Sequence, residues 1–184
     1  EEGTKFHVSP PKVPHEDAIY RSYSDGLELL KNSGFNRYEV SAYSLSGRSS
    51  SHNLHYWRYG DYIGIGAGAH GKVTIGKDIY RTKKADSPTL YMKKLKEKRA
   101  DSEKRLVSEE DALIEYAINI TRLTDGFEVS DLYDKTGIKP GAQDVDEKIN
   151  RAEKAGFFER EGELIKPTKK GQLFLNDLQL IFLN

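Results

Sequence analysis

His52-Asn53-Leu54-His55-Tyr56-Trp57 decides how this chain is read, with Tyr38-Glu39-Val40-Ser41 before it and Gly64-Ile65-Gly66-Ala67-Gly68-Ala69-His70 after it. Together these segments hold three of the five histidines and the only tryptophan. Such side chains ligate metals, stack on flat conjugated ligands and hydrogen-bond carboxylates. The chain has no cysteine, so it supplies no thiolate chemistry and no ligands to an iron–sulfur cluster. Lysine plus arginine and aspartate plus glutamate cancel at 29 each, leaving no overall field that attracts nucleic acid or an anionic membrane. No apolar run approaches the ~20 residues of a membrane span. The absence of cysteine is compatible with a reducing cytosol. Glu1-Glu2-Gly3-Thr4 has no signal-peptide character and reads as the interior of a folded element, so a piece of a longer protein is expected.

Outward from that stretch, Lys5-Phe6-His7-Val8 reads as the end of a strand stopped by Pro10-Pro11. Ile19, Tyr23, Leu27 and Leu30 recur at three- and four-residue steps, predicting a helix over 15–33 that Gly34 ends. Phe35 to Tyr43 alternates as a strand does, giving the strand–helix–strand order of a parallel sheet. Leu45 to Ser51 is a polar loop, Tyr62 to Ile65 another strand, and Lys72–Ile75 with Asp78–Arg81 a hairpin turning at Gly76-Lys77. Ser87 and Pro88 open a helix, and the charged run from Lys93 to Lys104 reads as solvated helix and linker. A second unit opens at the capping box of Ser108 and Asp111. Its helix carries Ala112, Tyr116, Ile120 and Leu123, and helices over 129–136 and 142–155 follow. A hairpin then turns at Glu161-Gly162, before a last helix over 169–182. Three helices and a hairpin are the winged-helix order. The expected domains are 1–86, a helix and linker over 87–107, and 108–184.

Gly64-x-Gly66-x-x-Ala69, with Asp86 downstream, formally matches a dinucleotide fingerprint. That chemistry needs the glycines to open a helix whose N-terminus holds a pyrophosphate, and here β-like sequence follows them. Small residues at a strand end also allow close approach to a flat ligand, or tight packing with no ligand.

Taken together, Glu2-Gly3-Thr4, Tyr38-Glu39-Val40-Ser41, His52-Asn53-x-x-Tyr56-Trp57 and Gly64–His70 resemble the oxygen-independent coproporphyrinogen III oxidase family. Within it they are most similar to the haem-chaperone branch of radical S-adenosylmethionine proteins. Thr121-Arg122-Leu123-Thr124-Asp125-Gly126 resembles that family's Leu-Arg-Leu-x-x-Gly stretch, and Thr168-Lys169-Lys170-Gly171 its wing ending. Ala42 departs from the Asn usual there. The resemblance covers essentially the whole chain. It implies an α/β fold: the C-terminal strands and helices of a partial parallel (β/α) barrel, followed by a small winged-helix-like α+β domain. It also implies a four-iron cluster and S-adenosylmethionine in a longer parent, whose Cys-x-x-x-Cys-x-x-Cys loop is absent here.

By resemblance, His52, Asn53, Tyr56 and Trp57 are the haem-binding element, with His52 a candidate iron ligand, and Gly66, Ala67, Gly68 and Ala69 lie against the adenosyl group. No catalytic residue is assigned, and no other metal ligand is expected. On a helical turn His52 lies above Tyr56 and Asn53 above Trp57. The alternative is a turn whose Trp57 plugs the barrel end while His52 and Asn53 satisfy backbone groups. His55 is secondary, and His7 and His15 read as surface or capping residues. His70 could serve packing or the cofactor pocket. Glu39 is either a site residue or half of an internal ion pair. The function implied is a cytosolic haem chaperone that hands haem to an accepting protein. The alternative is an oxidase that decarboxylates coproporphyrinogen III. A DNA-binding regulator is a third class, disfavoured because Asp144, Asp146, Glu147 and Glu153 outweigh Lys148, Arg151 and Lys154 on the would-be recognition helix. The segment before about Ser87 reads as a cut sheet, leaving at least one strand edge and an apolar helix face for self-association.

Overall fold

A computed structural model describes residues 2–99 and 101–183. The N-terminal part begins with a helical turn, α1 (Lys5–Val8), where a strand was expected; Thr4 caps it by accepting from the His7 amide at 3.2 Å. The predicted amphipathic helix is α2 (Glu16–Asn32), and it carries no buried residue: Ile19, Tyr23 and Leu29 remain exposed. The strand expected over 35–43 doubles back as the antiparallel hairpin β1 (Asn36–Glu39) and β2 (Ala42–Ser44). Local bonds hold that reversal. The Arg37 guanidinium donates to the Val40 carbonyl at 2.6 Å, and the Ser41 amide donates to the Glu39 carboxylate at 2.9 Å. Among the described residues every strand pair is antiparallel, so the strand–helix–strand order does not become a parallel unit here.

The short helix α3 (Ser51–Trp57) starts at Ser50, whose hydroxyl accepts from the Asn53 amide at 3.2 Å. Tyr62–Ile65 is not a sheet strand. Only Tyr62 bridges to Lys72, and Ile63 and Ile65 are exposed. The expected hairpin forms as β3 (His70–Ile75) and β4 (Asp78–Lys84), turning at Gly76-Lys77. After α4 (Pro88–Lys96), capped by Ser87, the charged run read as linker supplies a third strand, β5 (Asp101–Leu106), beside β4. Three of its four charges have partners: Lys84 pairs with Asp101, Arg105 with Asp111 at 2.8 Å, and Lys104 sits 4.0 Å above the Tyr80 ring. An exposed edge strand rich in charge is a common guard against edge-to-edge pairing.

The C-terminal part follows the predicted order. It comprises α5 (Glu109–Ile120), β6 (Phe127–Glu128), α6 (Val129–Thr136), α7 (Gln143–Lys154), β7 (Phe158–Glu161) and β8 (Leu164–Pro167). The last helix breaks at Phe174 into α8 (Lys169–Leu173) and α9 (Leu175–Leu183). The strands order as β6-β8-β7. Tyr116, Leu132, Val145, Ile149, Ile165, Leu178 and Phe182 are almost wholly buried. Edge-to-face aromatic pairs run Tyr59–Tyr116–Phe127–Phe158–Phe182 with centroids 5.8 to 6.2 Å apart. Each such pair adds about 0.5–1.5 kcal/mol beyond its burial. Tyr59 thereby locks the end of α3 onto the C-terminal core. On α7, Lys148 turns inward and donates to the Phe182 carbonyl at 3.0 Å, so one of the few cations of that helix is withdrawn from its surface.

Candidate functional site

α3 sorts the predicted residues into two stripes. His52 and Tyr56 form one, ring centroids 4.9 Å apart and edge-on at 68°. The His52 imidazole is exposed, and neither ring nitrogen has a hydrogen-bond partner among the described residues. Tyr56 packs in turn on Tyr62, centroids 4.8 Å apart. Asn53 and Trp57 form the second stripe, turned toward the β1–β2 hairpin. The Asn53 side-chain amide donates to the Tyr38 hydroxyl at 3.2 Å. Trp57 packs against the core under the Arg122 guanidinium, 4.3 Å from its ring, and its indole N–H is buried with no partner. The helix thus brings together an accessible imidazole and one tyrosine face, while Asn53 and Trp57 tie the helix down. His55 lies on a third side, its Nε2 2.6 Å from the Asp61 carbonyl oxygen.

Glu39 is half of an internal ion pair. Its side chain is 3% exposed and accepts from Arg122 at 3.0 Å, while Arg122 also donates to the Ser41 hydroxyl at 3.0 Å. The Val40 amide reaches the Arg122 carbonyl at 3.0 Å, so the hairpin is stitched to the segment after α5. Arg122 is the residue that sequence reasoning missed. Its Thr-Arg-Leu context was noted, but its partner lies 83 positions away.

Gly66, Ala67, Gly68 and Ala69 form a turn leading into β3, with φ of +107° at Gly66 and +71° at Gly68. No helix follows until α4, which disposes of the dinucleotide fingerprint. The turn's amides are largely spent: Gly66 donates to the Tyr91 hydroxyl at 3.3 Å, Gly68 to the Ala85 carbonyl at 2.8 Å, and Ala69 to Gly66 at 3.3 Å. They cannot also cradle a phosphate. A side chain at Gly66 would meet nothing within 4 Å, so the turn is sterically open at that position, whereas one at Gly68 would come 3.5 Å from Asp86. His70, just beyond it, is exposed.

Beside α3, an open cleft of about 660 Å³ is lined by Ser51, His55, Arg58, Asp61, Lys72 and Lys135, among others. At its floor Lys72 Nζ lies 2.7 Å from Asp61 and 2.9 Å from the Tyr59 carbonyl, and 3.9 Å from the Tyr59 ring centroid. Burial pulls the Lys72 amine below its ordinary value, a loss that Asp61 only partly offsets. Burial pushes Asp61 up, but bonds from Lys72 and Thr74 outweigh it and leave the carboxyl below the usual range. Tyr59 is raised by burial and by donating to Glu115 at 2.6 Å. Among the described residues no group of three or more histidines and carboxylates is placed to hold a metal ion.

Comparison with known proteins bears on what this geometry is for. Residues 107–174 match the family model described as the HemN C-terminal domain. The whole chain aligns with the haem chaperone HemW of Buchnera aphidicola subsp. Schizaphis graminum at 37% identity over 187 residues, which is 48% of that protein. It aligns at 36% with the haem chaperone HemW of Escherichia coli, covering all of this chain and 47% of that one. Residues 107–174 thus carry the HemN C-terminal domain, and the whole chain is similar to a part of these haem chaperones. It spans about half the length of these curated relatives. The solved structure of coproporphyrinogen III oxidase (HemN) from Escherichia coli, described as a radical SAM enzyme, superposes with a TM-score of 0.62 at 13% identity. That match covers 92% of this chain and 42% of the enzyme's. The chain therefore has the HemN fold in its C-terminal portion, here with small antiparallel sheets.

Proposed function

We propose that this HemN-like chain is the haem-facing part of a longer haem chaperone, working in the cytosol and passing haem to an accepting protein. The observation that carries the reading is His52: an exposed imidazole with both nitrogens unpartnered, set edge-on to Tyr56 at 4.9 Å. One such nitrogen can supply an axial bond to haem iron, and the neighbouring ring offers a face to the macrocycle. The relatives matching along the whole chain carry the chaperone name, which favours this reading over decarboxylation of coproporphyrinogen III.

In the parent, a four-iron cluster and S-adenosylmethionine would supply radical chemistry. This chain has no cysteine, so none of its residues fits the cluster. The Gly66–Ala69 turn fits an adenosyl group only through the open space at Gly66. The uncovered α2 face, with Ile19 and Tyr23, supports self-association, which sedimentation over a concentration series tests. Titrating hemin into the chain and into His52→Ala tests the main reading. Saturable binding that weakens at least tenfold in a folded His52→Ala variant is expected, and equal binding by both would refute it.

A further inference from the structure

The Tyr56 ring meets three others among the described residues: His52 at 4.9 Å, Tyr62 at 4.8 Å and, more loosely, His55 at 6.0 Å. Tyr62 is itself fixed from two directions. Its backbone exchanges hydrogen bonds with Lys72 at 2.8 and 2.9 Å, and its hydroxyl accepts from Arg81 Nη1 at 2.9 Å. The rest of the Arg81 fork is spent on Glu115 at 2.8 to 3.2 Å. Glu115 sits on α5, whose inner face forms the C-terminal core. The contacts therefore run without a break from a buried helix, through Glu115, Arg81, Tyr62 and Tyr56, to an exposed imidazole.

We infer that Tyr62, held by Arg81 and Glu115, is the positioning residue that sets the Tyr56–His52 pair; this rests on the proposed haem-facing role of His52. α3 spans seven residues and is held through Asn53 and Trp57, while the His52 ring itself meets one ring among the described residues, that of Tyr56. An exposed histidine on such a helix takes its ring orientation from its neighbours. Fixing a ligand ring before the metal arrives strengthens binding, as outer-shell partners do at other metal sites. Tyr62 also adds a third aromatic ring to the surface a planar macrocycle would meet.

The test uses the full 184-residue chain, as wild type, Tyr62→Phe, Tyr62→Leu and His52→Ala, each checked for folding by circular dichroism. Two readouts are taken: the His52 imidazole resonance in ¹H–¹³C spectra without hemin, assigned by its loss in His52→Ala, and affinity for hemin. Tyr62→Leu is expected to move the His52 resonance and weaken hemin about three- to tenfold, the span of one aromatic pair. Tyr62→Phe keeps the ring and loses the Arg81 bond, so both changes should be smaller but present. A folded Tyr62→Leu variant with an unmoved His52 resonance and wild-type hemin affinity would overturn the inference. If Tyr62→Leu does not fold, Tyr62→Phe decides by the same two readouts. If the wild type itself takes up no hemin, the proposed function fails, and the His52 resonance alone then decides whether Tyr62 positions it.

Discussion

Replacing Arg122 with Met tests how the hairpin and α3 are held together. The substitution keeps an apolar stem of similar length and removes the guanidinium. It leaves the Glu39 carboxylate, 3% exposed, with only the Ser41 amide at 2.9 Å. Stranding a buried charge in this way costs about 3–5 kcal/mol. Loss of the cation over Trp57 adds to this, toward the upper part of that range. For a chain of this size each kcal/mol moves the melting midpoint by about 2–4 °C, so a fall of roughly 6–20 °C is expected. Glu39→Gln keeps the shape and removes the charge, and should cost only about 1–3 kcal/mol. The double variant should cost less than the sum, because the second change removes the stranded carboxylate. Thermal and urea denaturation of the four proteins at pH 7 measure this cycle. An Arg122→Met cost below about 1 kcal/mol, or strict additivity, would refute the buried-pair account.

Trp57→Ala should lose stability in urea denaturation, by less than the about 3–5 kcal/mol of a fully buried ring because Trp57 is partly buried against the core. Trp57→Phe should lose much less, because the buried indole N–H has no partner to forfeit. The Asp61 carboxyl is held below its ordinary value, so the stability it supplies is complete above the unfolded carboxylate value of about 3.9. That stability disappears as pH falls through the lower folded value. Wild type should therefore exceed Asp61→Asn by a constant margin from pH 7 to about 5, and the margin should close only under more acid conditions, measured by denaturation at each pH. Anaerobic reconstitution with iron and sulfide should leave no iron bound after gel filtration, because the chain has no cysteine.

Local signals carried far in the C-terminal part. The caps at Ser87 and Ser108 and the first three helices of 108–184 stand near where their spacing places them, while the last hairpin turns one residue later than expected, at Gly162-Glu163. The misses were of another kind. Phe35 to Tyr43 alternates like one strand, yet it reverses because Arg37 and Glu39 bond across Val40-Ser41, a local competition that alternation does not encode. Asp101 to Leu106 looked like linker because charge usually means solvent. Here three of the four charges find partners across β4 and on α5 while the backbone pairs. At the candidate site, four-residue spacing correctly set His52 over Tyr56. It could not tell that Asn53 and Trp57 face the hairpin, since that depends on Tyr38 and on Arg122, far away in sequence.

The central claim is that His52, among five histidines, is the one presented to haem. Hemin titrations of His7→Ala, His15→Ala, His52→Ala, His55→Ala and His70→Ala, followed by the Soret band, test it directly. The account predicts that only His52→Ala shifts the band and loses affinity at least tenfold, with the other four matching wild type. A shift confined to another histidine, or wild-type spectra in all five variants, would contradict it.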